Sequence, residues 1–366
     1  MAVTTYGRSD ALTVQLWAKK LFVEALKATP IAPLIGTSSD SIIHRKTDLE
    51  KGSGDKITVG LRTQLTGKGV SSVGSLEGNE EALTTYADSF VIDEMAHAVR
   101  MRNPNRSIDA KRVEFNLRTE AKDGLRDWYA KRMSVSFFNQ VCGYTPANTE
   151  STTGGLLYTG LNAVVAPSAT RRVFSESGTT VDENLDSTGD LMRLTMLDYA
   201  KELAQTADVP IRPLMIDGEE KYVVYLHPYQ VTDLRTDAST AGNWFDIQKA
   251  ALQGGKVSKN PIYTGALGEY NGVIIRSSYD VTQGVHSSTG AAVTTVRRAP
   301  FMGAQAAMMA FGPDSSADSF AWEEEWFDYR RELGVSAQSL WGLKKTIFNS
   351  VDFGNIVIST YAVAHT

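Results

Sequence analysis

One cysteine, Cys142, stands in a chain of 366 residues. A lone thiol cannot close a disulfide within the chain, and a structural zinc site would need other ligands. Such sparing use of cysteine suits folding in a reducing cytoplasm. Long apolar runs are missing too: no stretch of about 18 or more apolar residues occurs, which excludes a transmembrane helix. The opening residues, MAVTTYGRSDALTVQLWAKK, lack a basic segment followed by an unbroken apolar one. No secretory leader is therefore expected, and Met1 reads as the natural start. Nor is there an excess of positive charge. Thirty-seven Lys and Arg oppose 42 Asp and Glu, a net charge of −5, whereas a protein that coats or condenses nucleic acid is normally basic. What is present is ordinary for a folded protein: 42% hydrophobic and 22% charged residues. That is material for one large domain with insertions, or for two or three cores.

Residues 10–28 set Leu12, Leu16, Phe22, Val23 and Leu26 at loosely helical intervals before Pro30 and Pro33 break the pattern. The spacing predicts an N-terminal arm with one short helix. Residues 47–84 differ in character, with seven glycines, no proline and one alternating strand at Ile57, Val59 and Leu61. A glycine-rich ribbon with too few apolar residues for a core of its own should project from the body, ordered by a neighbouring subunit or not at all. Residues 107–141 carry Val113, Leu117, Ala121, Leu125, Trp128 and Met133 along one stripe, with Ser107 as N-cap. They predict a helix of roughly 50 Å, bent at Gly124, more a strut than an element wrapped in a core. Residues 142–187 read as loops with short strands.

From Thr188 a second amphipathic helix is expected through Leu191, Leu194, Leu197 and Leu203, stopping before Pro210. KYVVYLHPYQVTDLR then predicts a buried strand from Tyr222 to Leu226, a His-Pro turn and a helix start. Alternating helix and strand to about residue 312 predict a compact α+β unit, and the C-terminal portion predicts two further strand-like runs.

Candidate chemistry is thin. In TGALGEYNGVIIRSS, Gly265 and Gly268 have the wrong separation for a dinucleotide fingerprint, and with Gly272 they precede a strand instead of following one. A tight strand turn is the expected use. TGKG at 66–69 has Arg62 where a phosphate loop needs its first glycine, and Gly69 where it needs Ser or Thr. Glu94 and His97 form a lone Glu-x-x-His, while diiron bundles need two. His227 before Pro228 reads as a turn residue. Glu323, Glu324 and Glu325, flanked by Trp322 and Trp326, would bind a cation or, more usually, form a solvated face or meet basic residues across an interface. No nucleophile, base and orienter assemble, so no catalytic, cofactor-binding or metal-ligating residue and no cofactor is expected.

The order of parts (arm, ribbon, strut, α+β unit, returning strands) resembles the HK97-like fold of tailed-phage major capsid proteins. The strings NPIYTGALGEYNGVIIRSS, YVVYLHPYQVTDLR, FMGAQAAMMAFG and WGLKKTIFNSVDFGNIVISTYA are similar to blocks of the capsid family typified by coliphage N-four. The likeness runs from about Asp10 to Ala362. It implies an α+β fold with an N-arm over 1–46, an E-loop over 47–86 and a P-domain over 87–187 with its spine helix at 107–141. An A-domain would follow over 188–320 and a C-terminal return to the P-domain over 321–366. It further implies hexamers and pentamers of this protein in an icosahedral shell around double-stranded DNA, bound without sequence specificity. A scaffolding protein, a portal protein and a decoration protein are the other implied partners. Too few residues precede the E-loop for a built-in scaffold. Lys68 lies near the ribbon tip without a matching crosslinking motif, so that chemistry is not expected. Arg171 and Arg172 would face the shell interior. An encapsulin-like compartment shell shares the fold and is the alternative; a metal- or nucleotide-dependent enzyme is the reading from another class.

Overall fold

The computed structural model describes residues 31–47, 54–62, 65, 67–72, 74–105, 107, 117–145, 162–176, 178–216, 218–236, 268–312 and 321–365. The N-terminal helix expected over 10–28, the nine residues 108–116 of the expected long helix, and Gly265 lie outside them.

Two mixed sheets organise the chain. The six-stranded sheet runs Ile35–Gly36, Ile43–Lys46, Ala307–Phe311, Glu332–Lys345 and Ala321–Phe327, with Asp93–Arg102 added along the other side of Glu332–Lys345. That 14-residue strand is its axis. The eight-stranded sheet runs Arg172–Phe174, Asn355–Tyr361, Ala292–Met302, Glu219–Leu226, Val273–Ser277 and Gly268–Tyr270. Gln283–Val285 and Leu214–Ile216 branch from it. Sheet membership thus cuts across chain order. The strand Ala307–Phe311, inside the expected A-domain span, joins the first sheet, whereas Arg172–Phe174 and Asn355–Tyr361 join the second.

The strand expected at Tyr222–Leu226 spans Glu219–Leu226, and its apolar run is buried on both faces, as a central strand requires. Tyr222, Val224 and Leu226 face the helix Leu194–Thr206, while Val223 and Tyr225 face the long helix. Alternation with period two explains the division. The helix Leu194–Thr206 starts six residues later than expected. Ser187 and Asp190 form a reciprocal capping box around the short turn Thr188–Asp190, and Leu191 is then extended (φ −69°, ψ 160°).

The long helix spans Leu117–Cys142 and continues through Gly124, which is exposed. Ala121, Leu125, Tyr129, Met133 and Phe137 bury one stripe at spacing four. From Ser136 to Cys142, however, every residue is buried, so the helix is a strut only in its first half. Its second half lies between the two sheets. Phe138 packs edge-on against Tyr225 at 5.5 Å, Asn355 donates to the Val141 carbonyl at 2.6 Å, and the Tyr129 hydroxyl lies 2.8 Å from the Ala337 carbonyl. Burying a side chain such as Phe137 or Phe138 contributes about 2–3 kcal/mol.

The glycine-rich segment is a two-stranded antiparallel ribbon, Lys56–Arg62 with Thr85–Val91, in register from Lys56↔Val91 to Arg62↔Thr85. Ile57, Val59 and Phe90 seat its base on Met308 and Ala310 of the first sheet. Gly342 permits the crossing, because a Cβ there would come within 2.3 Å of the Val91 carbonyl oxygen.

Candidate functional site

The residues singled out for chemistry are dispersed. Glu94 and His97 sit three apart on the strand Asp93–Arg102 and therefore point to opposite faces; His97 stacks on Trp128 at 4.3 Å. Glu323 and Glu325 are exposed, while Glu324 turns inward to accept from Arg118 Nε (2.8 Å) and Trp322 Nε1 (2.9 Å). Strand alternation thus keeps the three carboxylates from converging on one cation. The amide of Gly67, in the TGKG string, donates to Glu81 Oε2 at 2.6 Å, so a carboxylate already takes a group that a phosphate loop would offer. Among the described residues no cluster of three or more His, Cys, Asp or Glu is placed to hold a metal.

The turn in the glycine-rich stretch is a two-residue hairpin. Tyr270 pairs with Val273 across Asn271 and Gly272, whose φ angles are +47° and +72°. Both values are those of a left-handed hairpin turn, in which Asn-Gly is the preferred pair. Asn271 is held in place by Lys201 and Asp198. Gly272 is therefore a strand-turn residue, as its position predicts.

Buried polar groups hold loops to sheets. Asp182, with its side chain fully buried, meets Arg172 Nη2 at 2.7 Å and Arg298 Nη2 at 2.6 Å, and accepts from the Val285 amide. Arg298 also donates to the Gly143 carbonyl at 2.7 Å. Cys142 donates to the Arg298 carbonyl at 3.2 Å, and burial pushes its thiol up to about 11, so it carries little reactive thiolate. His227 is buried in its His-Pro turn against Tyr229 and Tyr279; burial, then the nearby Arg297 charge, lowers its pKa to about 4. Arg171 is only 2% exposed and Arg172 is committed to Asp182. Neither presents its charge to an outside polyanion, which corrects the expectation that they face the interior of a shell.

What the chain offers is surface. Nearly every described residue from Gly67 to Thr85 is exposed, including Leu76 and Leu83, with Leu65 just before them. Far along the first sheet, the hairpin between Phe327 and Glu332 holds Asp328, Tyr329 and Arg330 all at positive φ, with Tyr329 fully exposed at its tip. Glycine-poor left-handed turns and exposed leucines are both unfavourable for an isolated chain, and both become useful where another surface covers them.

A family described as Phage capsid protein matches residues 4–364. The major capsid protein of Pseudomonas phage KPP25 is 28% identical over 385 residues, covering 99% of this chain and 98% of that one. Among solved structures, the capsid of Ralstonia phage GP4 is 31% identical, with a TM-score of 0.74 over 91% of this chain and 90% of its own. The cyanophage Pam1 capsid has the same fold at 20% identity, with a TM-score of 0.71 over 100% of this chain and 95% of its own.

Proposed function

The chain belongs to the phage capsid protein family, and from that premise we infer that it is a major capsid protein, copies of which build the icosahedral shell of a phage head. Its α+β architecture is the HK97-like fold. The observation that carries the reading is the near-complete coverage of the chain by the family match. The family's role is structural and not enzymatic. The encapsulin-like alternative is not favoured, since the relatives are phage capsids.

Several finer assignments belong to this proposal. Residues 1–46 act as the N-arm and residues 47–86 as the E-loop, with the second ribbon strand running on to Val91. The P-domain is built from 87–187, and the A-domain from 188–320, with the strand Asn355–Tyr361 of the C-terminal return added to the A-domain sheet. Copies associate as hexamers and pentamers through the exposed ribbon and hairpin tip. A separate scaffolding protein, a portal and a decoration protein are its partners in the host cytoplasm. Packaged double-stranded DNA is met without sequence specificity, and the net charge of −5 gives the chain no strong overall attraction to it. Contacts spread over arm and ribbon supply interface area without demanding a larger core.

Negative-stain microscopy of the expressed protein, alone and with a candidate scaffold, tests the reading after density-gradient sizing. Rings of five or six, tubes or closed shells are expected. A uniform monomer under every condition, scaffold included, would overturn it.

A further inference from the structure

The first sheet ends on the strand Ile35–Gly36, and the second carries Leu214–Ile216 as a side branch. A groove of about 240 Å³ opens between them. Arg212 ties its two sides together through Asp40, 2.6 Å away. Leu34, Leu214 and Val223 form a buried floor. Ile35, Ile216 and Ile274 line the groove above it, each packed on the core with part of its surface and open with the rest. Small-molecule sites usually hold about 300–1,000 Å³, more than is available here. The two charged side chains of the lining are already engaged, Asp40 with Arg212 and Arg276 with the Tyr225 hydroxyl. The groove therefore suits a few apolar side chains of a polypeptide better than a polar ligand.

The chain supplies such side chains close by. It enters the body at Ile31, which is fully buried, and passes Leu34 and Ile35 of the groove directly afterwards. Ahead of that entry, Phe22, Val23 and Leu26 belong to the apolar stripe of residues 10–28. Leu26 follows Phe22 by four positions and Val23 by three, so helical spacing puts all three on one face. Seven positions separate Leu26 from Pro33 at the groove's exposed rim, at most about 25 Å of extended chain. A tether this short holds the stripe at an effective concentration on the order of 1 mM, which favours it over the same stripe of another copy.

We propose that residues 22–26 dock in this groove of their own chain, with Phe22, Val23 and Leu26 covering Ile35, Ile216 and Ile274. Leu16 and Leu12 stand about 9 and 15 Å before Phe22 on a helical rise, too far along the stripe for a groove of this size. The docked turn fixes the direction in which the rest of the arm leaves the body.

Maleimide labelling of an Ile216→Cys variant of the full-length chain tests this. The native Cys142 is fully buried and carries little thiolate, so it adds little signal. Labelling should be slow, and at least about tenfold faster once Phe22→Asp and Leu26→Asp are added, because the docked segment must otherwise lift away before the thiol reacts. Equal rates with and without the two arm substitutions would overturn the proposal. So would labelling that speeds up on about a hundredfold dilution, since the cover would then come from a second copy. Should Ile216→Cys fail to fold, Ile35→Cys repeats the comparison from the first-sheet side of the groove. Labelling is read on free subunits and shell formation by microscopy, so either can fail without the other.

Discussion

Asp182 shows how one buried carboxylate can hold distant segments together. Two guanidiniums, from Arg172 and Arg298, converge on it in a site closed to solvent. Asp182→Asn keeps the shape and removes the charge, leaving two buried cations unanswered, so a loss of about 3–5 kcal/mol is expected in urea unfolding of the subunit. A loss under 1 kcal/mol would mean that water reaches the arginines. Asp233 works in the opposite sense. Neither of its carboxylate oxygens accepts a hydrogen bond, and burial raises its pKa from 3.8 to about 6, although His365 Nε2 is 3.0 Å away. Between about pH 4 and 6 the folded chain keeps a proton that the unfolded chain has released, so stability falls as pH rises through that window. His227, held down at about 4, remains neutral while the unfolded chain gains a proton below about 6.5, so its contribution is lost as pH falls from 6.5 to 4. The two slopes oppose each other. Asp233→Asn removes only the first, and its stability relative to the native chain should climb by about 2–3 kcal/mol between pH 4 and 6, then level off. Urea midpoints at pH 4, 5, 6 and 7 measure this; a difference that does not vary with pH counts against the assignment.

Among the elements, the long helix separates propensity from packing. Gly124 occupies an exposed position on it, with room for a Cβ and no need for left-handed backbone. Gly124→Ala should therefore stabilise the subunit by about 0.5–1 kcal/mol in thermal or urea unfolding. Destabilisation would show that the glycine serves a bend of the helix. The ribbon is held differently, by Ile57 and Phe90 at its base and by the ion pair of Lys344 with Asp88. Its outer part has almost nothing buried to hold it in a free subunit. Limited proteolysis of free subunits should cut first within residues 50–80, and resistance there would contradict the ribbon's independence from the body.

For the whole molecule, the distribution of apolar surface matters more than its amount. Leu76 and Leu83 are 70% and 57% exposed, and Leu65 is 56% exposed. Replacing all three with serine should leave subunit stability within about 0.5 kcal/mol per site, because little burial is lost. Shell formation, followed on gradients and by microscopy, should fall sharply. Normal shells from the triple variant would remove the ribbon from the lattice contacts proposed for it.

The hairpin turn at Asn271-Gly272, the ribbon strand with its period-two apolar face, the buried strand before the His-Pro turn and most of the long helix were legible in order of residues alone, since each depends on neighbours within a few positions. The similarity of four extended strings to capsid proteins carried the family. Tertiary structure decided the rest. The helix start at Leu194 and not Thr188 depends on a capping box that competes with helix propensity locally. The burial of Ser136–Cys142 on all sides arises because two sheets close around that half of the helix. The exchange of strands between sheets, and the conversion of Arg171 from a surface charge into a buried cation, rest on contacts between residues far apart in the chain. Local spacing specifies which segments become helix or strand; only the folded chain determines which of their faces meet, and therefore which charges lose water.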